Sequence, residues 1–348
     1  MPHINHYLTW VNATSSEAVR LRHRQIEPEH LLLGLIAQGG RAAAILGAHG
    51  VTLARARAAV DELADADLAR VGIRLPEGLR PEPLVAGDLI AGPGAGEIPV
   101  SRAATEALDT AGRGPGSGEI PMSQAATELV DTVGRGAGDP GLRVLLALTA
   151  RPQTPIARLV DYCGADAAVL CADAARAEAE RSESSELTAH RYRLTDEYAS
   201  YGLDRVLSQE RFVSVPAADL AALLSDPAGL TQWAVPREEL VELRADGVVQ
   251  RVDGRRQRGR VRWRLEETSP GRIVWSCAAA SGPHDGEVLL VRDLRLAEAP
   301  GGARLRLILA HRTWGRFGPI VYWFSWRWIR LGVAQMLTGI ARAGAELP

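Results

Sequence analysis

The hydrophobic pattern of this chain changes its predominant period near Gln209. Before that point, apolar residues recur at spacings of three and four, which is typical of amphipathic helices. After it, apolar and polar residues alternate, which is typical of strands with one buried face. A chain of 348 residues is long enough for two hydrophobic cores. We therefore predict a multidomain protein, with an all-α domain followed by an α+β domain.

The helical part contains one compact motif near its start, Ile26-Glu27-Pro28-Glu29-His30-Leu31-Leu32-Leu33-Gly34-Leu35. Pro28 suits the first turn of a helix, where the missing N–H is not needed. Glu27 and Glu29 would place negative charge at the positive end of the same helix. Thr52 is predicted to cap a later helix, because Gly47 and Gly50 end the helix before it and an apolar face at helical spacing follows it.

This motif resembles the first repeat of the Clp N-terminal domain, the module that precedes the ATPase rings of Clp unfoldases. The resemblance covers about residues 1–172 and is weaker in a second repeat, which is predicted to continue over residues 142–166. In that repeat Asp166 corresponds to Thr52 and is predicted to be the N-cap of the following helix. Residues 71–100 are rich in proline and glycine and are predicted to be a linker. The segment Gly96–Ser101 recurs as Gly118–Ser123, which indicates a local tandem duplication ahead of the second repeat.

The resemblance implies a binding function. In bacterial Clp unfoldases this domain docks adaptors and substrates, in some cases through phosphoarginine, and some relatives without ATPase rings capture cyclic-peptide antibiotics. The matching residues here are Glu29 and His30, whereas the second repeat has Leu142 and Arg143 at these positions, so we expect one site. The expected partners are a peptide, phosphoarginine, a cyclic peptide or a Clp-system protein. Alternatively, Glu29 only complements the helix dipole and His30 only fills the space between the repeats.

Composition excludes several activities. All 40 basic residues are arginine. Without lysine the chain has neither a Walker A loop nor a Schiff-base nucleophile. A formal net charge of −2 and the lack of a basic recognition helix argue against nucleic acid as a partner.

The remaining signals concern metals and membranes. Three cysteines without a CxxC pair or zinc spacing predict no metal and no cofactor, and together with the lack of a signal-peptide pattern they suggest a cytoplasmic protein. Arg327 and Arg330 interrupt the apolar segment 320–340, at about 2.5 kcal/mol each in a membrane. That segment is therefore predicted to be an amphipathic helix and not a membrane span.

The C-terminal part has a distinctive order of elements. A strand at 211–215 and two short helices precede six alternating runs, and a long helix from about 318 to 346 ends the chain. This order resembles the START-like (SRPBCC, polyketide cyclase/dehydrase) helix-grip fold over about residues 205–348, with residues 173–204 as a helical connector. In that fold a curved sheet wraps the last helix around a deep cavity.

Members of that fold class bind sterols, polyketides, lipids or hormones, and a minority catalyse cyclisation or dehydration. Seven of the eight tryptophans lie in this half of the chain. The resemblance therefore implies a hydrophobic small molecule as ligand, although any single tryptophan could be plain core. The predicted cavity residues are Trp233, Trp263, Trp275, Asp293, Arg295, His311, Trp314 and Trp323. An alternative function is a cyclase-type enzyme with His311 or Asp293 as acid or base.

Overall fold

The computed structural model describes residues 2–23, 25–74, 139–150, 154–181, 196–253, 258–282, 284–313 and 318–347. These residues belong to two compact units, 1–184 and 185–347. The structure describes only residues 71–74 of the predicted linker at 71–100. The duplication at 96–123 lies outside the described residues.

The described part of the N-terminal unit is helical. Its helices are α1 (Pro2–Arg20), α2 (Pro28–Gln38), α3 (Arg41–Ala48), α4 (Leu53–Arg70), α5 (Pro140–Thr149), α6 (Pro155–Tyr162) and α7 (Ala167–Arg181). Helix α2 is buried along its whole length after the first turn, and it contacts α1, α3, α4, α5 and α6. A helix that is apolar on all sides needs such an environment, which explains the unbroken run of leucines.

The helix starts follow the predicted capping chemistry. Pro28 is the first residue of α2. The Thr52 hydroxyl accepts a hydrogen bond from the Arg55 N–H at 3.3 Å and thereby caps α4. The predicted cap of the second repeat is also present, because the Asp166 carboxylate accepts from the Ala168 N–H at 2.7 Å.

Helices α1 and α2 cross at Gly34. A Cβ at this position would lie 2.6 Å from the Thr14 backbone nitrogen and 2.7 Å from its Cα. Close by, the Trp10 indole N–H donates to the Leu31 carbonyl at 3.0 Å. The glycine therefore sets the distance between the two helices.

Replacement of this glycine tests the crossing. In Gly34→Ala, contact with backbone atoms costs about 1–3 kcal/mol because a rotamer change cannot relieve it. This cost exceeds the gain of at most about 1 kcal/mol in helix propensity. We expect a lower unfolding temperature by calorimetry and faster amide exchange in α1 and α2. Gly332→Ala is the matched control, because Gly332 is an exposed helical glycine with open space around it. Unchanged exchange in Gly34→Ala would contradict the close crossing.

The C-terminal unit combines one sheet with five described helices, including a 3-10 turn. The strands are β1 (Arg205–Val213), β2 (Leu240–Arg244), β3 (Gly247–Asp253), β4 (Arg258–Ser269), β5 (Arg272–Ala279), β6 (Val288–Ala299) and β7 (Gly302–His311). The helices are α8 (Asp196–Ala199), α9 (Ala217–Ser225), α10 (Leu230–Trp233), the 3-10 turn Arg237–Glu239 and the long α11 (Gly318–Ala345).

All seven strands form one antiparallel sheet in the order β1-β7-β6-β5-β4-β3-β2. Its inner face, defined here as the face with Leu305 and Leu307, packs against α9, α10 and α11. Its outer face carries a smaller core around Tyr198, Val291 and Ile308. Strand β1 begins at Arg205, six residues earlier than the predicted start at Arg211, because its first residues pair with the end of β7.

The predicted fold class is confirmed. An all-α helical repeat unit of the Clp N type precedes an α+β unit with the START-like helix-grip order of one strand, two short helices, six strands and a long helix. Among the described residues, no single helix has the length and hydropathy to cross a membrane. The bent pair α2 and α3 passes that test on length and composition only, with 102° between its members.

Candidate functional site

Strand β6 distributes charged side chains to both faces of the sheet. Arg292 belongs to the inner face, where it lies against Trp233 and Trp263. Asp293 is the next residue and therefore points to the outer face, as alternation along a strand requires. The predicted grouping of Asp293 and Arg295 with the tryptophans is therefore not what the structure has, since Asp293 contacts Tyr198 on the opposite face.

Asp293 organises the outer face. Its side chain is fully buried and accepts hydrogen bonds from the Tyr198 hydroxyl at 2.6 Å and from Arg272 and Arg295 at 3.0 Å each. Burial alone would raise the pKa of Asp293, but the hydrogen bonds from Arg295, Arg272 and Tyr198 outweigh it and hold the pKa below its ordinary value. Because its carboxylate is already engaged by three donors, it acts as an anchor for α8.

Three tryptophans lie on the inner face, and all three are buried. The Trp263 indole N–H donates to the Gln250 side-chain oxygen at 2.8 Å, and the Trp275 indole N–H donates to the Leu224 carbonyl at 2.8 Å. The Trp233 indole N–H has no acceptor among the described residues. Buried indole N–H groups are usually paired, so Trp233 is the exception that needs an explanation.

Arg292 is the second exception on the same face. Its guanidinium carbon lies 4.0 Å from the centre of the Trp263 ring and 5.7 Å from that of the Trp233 ring. Its Nε and Nη1 atoms are buried and have no hydrogen-bond partner in the described part of the chain. Burial lowers the pKa of Arg292 to about 10, so the side chain is still charged at neutral pH. An unpaired cation therefore lies between two aromatic rings.

The ring contacts do not offset the burial of this charge. A cation over an aromatic ring gains about 0.5–2 kcal/mol. The penalty for removing an ion from water is several kcal/mol, and it is repaid only when a counter-charge and hydrogen bonds are supplied. The described residues supply neither to Arg292. The inner face consequently has the donor chemistry of an anion-binding site.

The side chains of the inner face become less buried toward one end of the strands. On β7, Leu305 and Leu307 are fully buried, whereas Leu309 and His311 are only half-buried. On β6, Leu294 is fully buried and Leu290 is half-buried in the same direction. Arg292 lies between these two leucines, at the boundary between the closed core and the more open end.

His311 lies at that more open end. It pairs with Leu290 and belongs to the same face as Arg292, so it is separated from Asp293 by the thickness of the sheet. Burial lowers the pKa of His311, although the nearby Asp204 carboxylate acts in the opposite direction. The two predicted acid–base candidates therefore do not form one catalytic pair.

The remaining predicted cavity residues are Trp314 and Trp323. Trp314 lies outside the described residues, and so does the side chain of Trp323 in α11. Two further tryptophans of α11 are described. Trp326 packs half-buried against the inner-face core, and Trp328 is 74% exposed. Residues two apart on a helix point in nearly opposite directions, which accounts for this difference.

In the N-terminal unit, His30 is completely buried and both ring nitrogens are engaged. Its Nδ1 accepts from the Glu27 backbone N–H at 2.8 Å, which leaves Nε2 to donate to the His23 Nδ1 at 2.8 Å. Burial and the neighbouring His23 lower the pKa of His30 to about 3, so the ring is neutral at neutral pH. Within this arrangement His30 acts as a helix cap for α2.

Glu29 differs from His30 in its accessibility. Its side chain is half-buried, and no described residue other than Glu29's own backbone N–H donates a hydrogen bond to it. Burial raises the pKa of Glu29, and the nearby Glu27 carboxylate adds to this effect. A partly desolvated carboxylate without a cation is suited to a guanidinium ligand. Among the described residues, no group of three His, Cys, Asp or Glu side chains converges to hold a metal ion.

Comparison with known proteins agrees with the N-terminal assignment. Residues 9–73 match the family model of the Clp repeat (R) N-terminal domain. No curated protein sequence matches the chain.

Several solved structures resemble part of the chain. Protein CV1439 from Chromobacterium violaceum is 19% identical, with 39% of this chain and 94% of that chain covered and a TM-score of 0.28. TTHA0849 from Thermus thermophilus is 15% identical, with 40% and 96% covered and a TM-score of 0.30. Ara h 8.0201 is 16% identical, with 39% and 97% covered and a TM-score of 0.28. These scores are too low to support an argument, so the C-terminal assignment rests on the order of elements.

The family match and the fold together describe what the chain combines. Residues 9–73 are similar to the Clp repeat (R) N-terminal domain. The C-terminal unit is an α+β unit in which a seven-stranded antiparallel sheet is followed by a long helix, and its element order is that of the START-like helix-grip fold.

Sequence reasoning missed Arg292. The available signal was the alternation of β6, in which Leu290, Arg292 and Leu294 share one face. Leu290 and Leu294 are four residues apart and face the core, so the residue midway between them faces the core as well. An arginine in that position is unusual.

The Asp293 network predicts a pH-dependent stability. In Asp293→Asn, the charged hydrogen bonds are lost, which should cost about 1.5–3 kcal/mol at neutral pH. Because the pKa of Asp293 is lower in the folded chain, its contribution is complete above the unfolded pKa of about 4 and disappears as the pH falls through the folded pKa. Urea unfolding of variant and wild type should therefore converge in acid. Asp285→Asn, in an exposed turn, is the control. A difference that stays constant down to low pH would contradict the network.

Proposed function

We propose that this protein is a binding protein whose C-terminal unit holds a hydrophobic small molecule against the inner face of the sheet. The observation that supports the proposal is the decrease in the burial of apolar side chains along this face. Apolar side chains that are fully buried around Leu307 become half-buried at Leu290 and Leu309, which pack against a core cluster that includes Trp233, Trp263 and Trp275. A partly covered apolar surface beside a closed core is suited to a ligand with little polarity.

Most of the indole N–H groups on this face are engaged within the protein. Of the three inner-face indole N–H groups, two are satisfied within the protein and only Trp233 is left to donate. Ligand sites of this type combine apolar walls with a small number of placed polar groups that orient the ligand. The inner face has this composition.

The N-terminal unit is proposed to bind a peptide, phosphoarginine or a cyclic-peptide antibiotic, as an adaptor or a decoy for the Clp protease system. The support is the match of residues 9–73 to the Clp repeat and the half-buried carboxylate of Glu29, which no described arginine contacts. His30 would act only through its effect on α2, because it is buried and neutral. The cysteines Cys163, Cys171 and Cys277 are free thiols, which agrees with the proposed cytoplasmic location.

The alternative of a cyclase-type enzyme would depend on His311 alone. Asp293 is on the outer face, with its carboxylate engaged by Tyr198 and two arginines. A general acid or base must be within hydrogen-bond reach of the reacting group, and a ligand on the inner face is out of reach of Asp293. The binding function therefore has the broader support.

Native mass spectrometry of the full chain, purified gently from a cell lysate, tests the C-terminal proposal. We expect a bound apolar adduct that organic extraction removes. Trp263→Ala should lose the adduct, because one wall of the inner face is removed, whereas Trp328→Ala should keep it since Trp328 is 74% exposed. If the adduct is absent, and a panel of lipids and polyketides also fails to bind the extracted protein, the proposal is wrong.

Substitution of Glu29 tests the N-terminal proposal. Titration of the full chain with an arginine-phosphorylated peptide should show binding that Glu29→Gln weakens about tenfold or more, because the charged hydrogen bond to the guanidinium is lost. Glu62→Gln serves as the control, because Glu62 is an exposed carboxylate on α4. Equal affinities of Glu29→Gln and wild type would exclude Glu29 as the contact.

A further inference from the structure

Among the described residues, two inner-face side chains have hydrogen-bond donors without acceptors. One is the Arg292 guanidinium, whose Nε and Nη1 atoms are buried and unpaired among the described residues. The other is the Trp233 indole N–H, which is in the same state. The two belong together, because the guanidinium carbon of Arg292 lies 5.7 Å from the centre of the Trp233 ring. Both donors therefore address one small region of the inner face.

Arg292 differs from other arginines of the same unit. Arg272 and Arg295 donate to Asp293, and Arg306 and Arg312 pair with Glu210 and Glu287 respectively. These four side chains lie nearer to solvent and still have a carboxylate each. Arg292, which is only 8% exposed, has none among the described residues. The counter-charge is missing at the position where burial makes it most necessary.

The surroundings of Arg292 hold it in place without neutralising it. Trp263 stacks against the guanidinium at 4.0 Å, and its own N–H is fixed by Gln250, which in turn donates to Glu239 at 2.6 Å. Cys277 is a titratable neighbour of Arg292. Burial raises the pKa of its thiol to about 12, so the thiol is neutral and supplies no charge. The arrangement fixes a cation and leaves its donors available.

We propose that the C-terminal unit binds an apolar ligand that carries one carboxylate, and that Arg292 and Trp233 hold this carboxylate. The inference rests on the proposed function of the inner face and specifies the chemical class of its ligand. A guanidinium matches the two oxygens of a carboxylate, and the indole N–H adds a third donor. One positive charge balances one carboxylate, whereas a phosphate monoester would bring nearly two negative charges to a site with a single cation.

The position of Arg292 also orients the ligand. It lies between Leu294, which is fully buried, and Leu290, which is half-buried. A carboxylate at Arg292 would therefore lie at the inner limit of the open region, with the apolar body of the ligand directed along Leu290 and Leu309 toward the half-covered end. A fatty acid or an apolar polyketide acid has the required form.

The test compares an acid with its ester in the full chain. Parinaric acid and its methyl ester have the same apolar body and report binding by fluorescence. For wild type we expect the acid to bind about tenfold or more tightly than the ester at neutral pH, as the loss of a charged hydrogen bond implies. In Arg292→Met this preference should disappear through weaker binding of the acid, with the ester unchanged. Arg306→Met is the matched control, since it removes an exposed arginine of the neighbouring strand.

Each other outcome is decisive. Equal binding of acid and ester by wild type, or an acid preference that persists in Arg292→Met, would overturn the carboxylate assignment and leave the proposed function intact. Failure of wild type to bind either probe would overturn both. Tighter binding of a monoalkyl phosphate than of the acid would reassign the ligand to the phosphate class.

A measurement on wild type alone covers the case in which Arg292→Met does not fold. A fatty acid labelled with carbon-13 at the carboxyl group reports its ionisation by NMR. Bound beside a buried guanidinium, the carboxyl group should titrate at a lower pH than the free acid, because the charged form is favoured. A titration at higher pH than in solution would show that the carboxyl group lies in an apolar region away from Arg292, and would overturn the proposal.

Discussion

The separation of Arg292 from Asp293 by the thickness of one sheet determines the chemistry of the C-terminal unit. The two residues are adjacent in β6, and a strand directs adjacent side chains to opposite faces. They therefore cannot neutralise one another, although they carry opposite charges. Asp293 finds Tyr198 and two arginines on the outer face, whereas Arg292 finds two aromatic rings and no acid among the described residues.

The two faces consequently have different roles. On the outer face, the satisfied carboxylate of Asp293 fixes α8 to the sheet through Tyr198 and contributes stability. On the inner face, the unpaired guanidinium reduces stability until an acceptor arrives. Binding sites are commonly places where stability is given up for function, and an uncompensated buried charge is one physical form of that exchange. The N-terminal unit shows the same contrast more weakly. The ring nitrogens of His30 are satisfied inside the fold, whereas the half-buried carboxylate of Glu29 is paired with no described arginine.

The period of the hydrophobic pattern predicted most of the fold. The change near Gln209, the proline at the start of α2 and the caps at Thr52 and Asp166 all depend on local chemistry that a sequence contains. The face of each strand residue was harder to predict. In β6, apolar residues occur on both faces near Leu290 and Val291, so alternation alone did not assign Asp293 and Arg295 correctly. The burial of His30 depends on α2 being surrounded by other helices, which is a tertiary property.

The stability of ligand-free Arg292→Met tests the central claim most directly, that Arg292 is an uncompensated buried charge kept for a ligand. The measurement is the unfolding temperature of the full chain after organic extraction, for this variant and for wild type. Methionine has a similar length and no charge, so the account predicts a higher unfolding temperature for the variant. A clearly lower unfolding temperature would show that Arg292 stabilises the ligand-free fold in its own right, and would contradict the account.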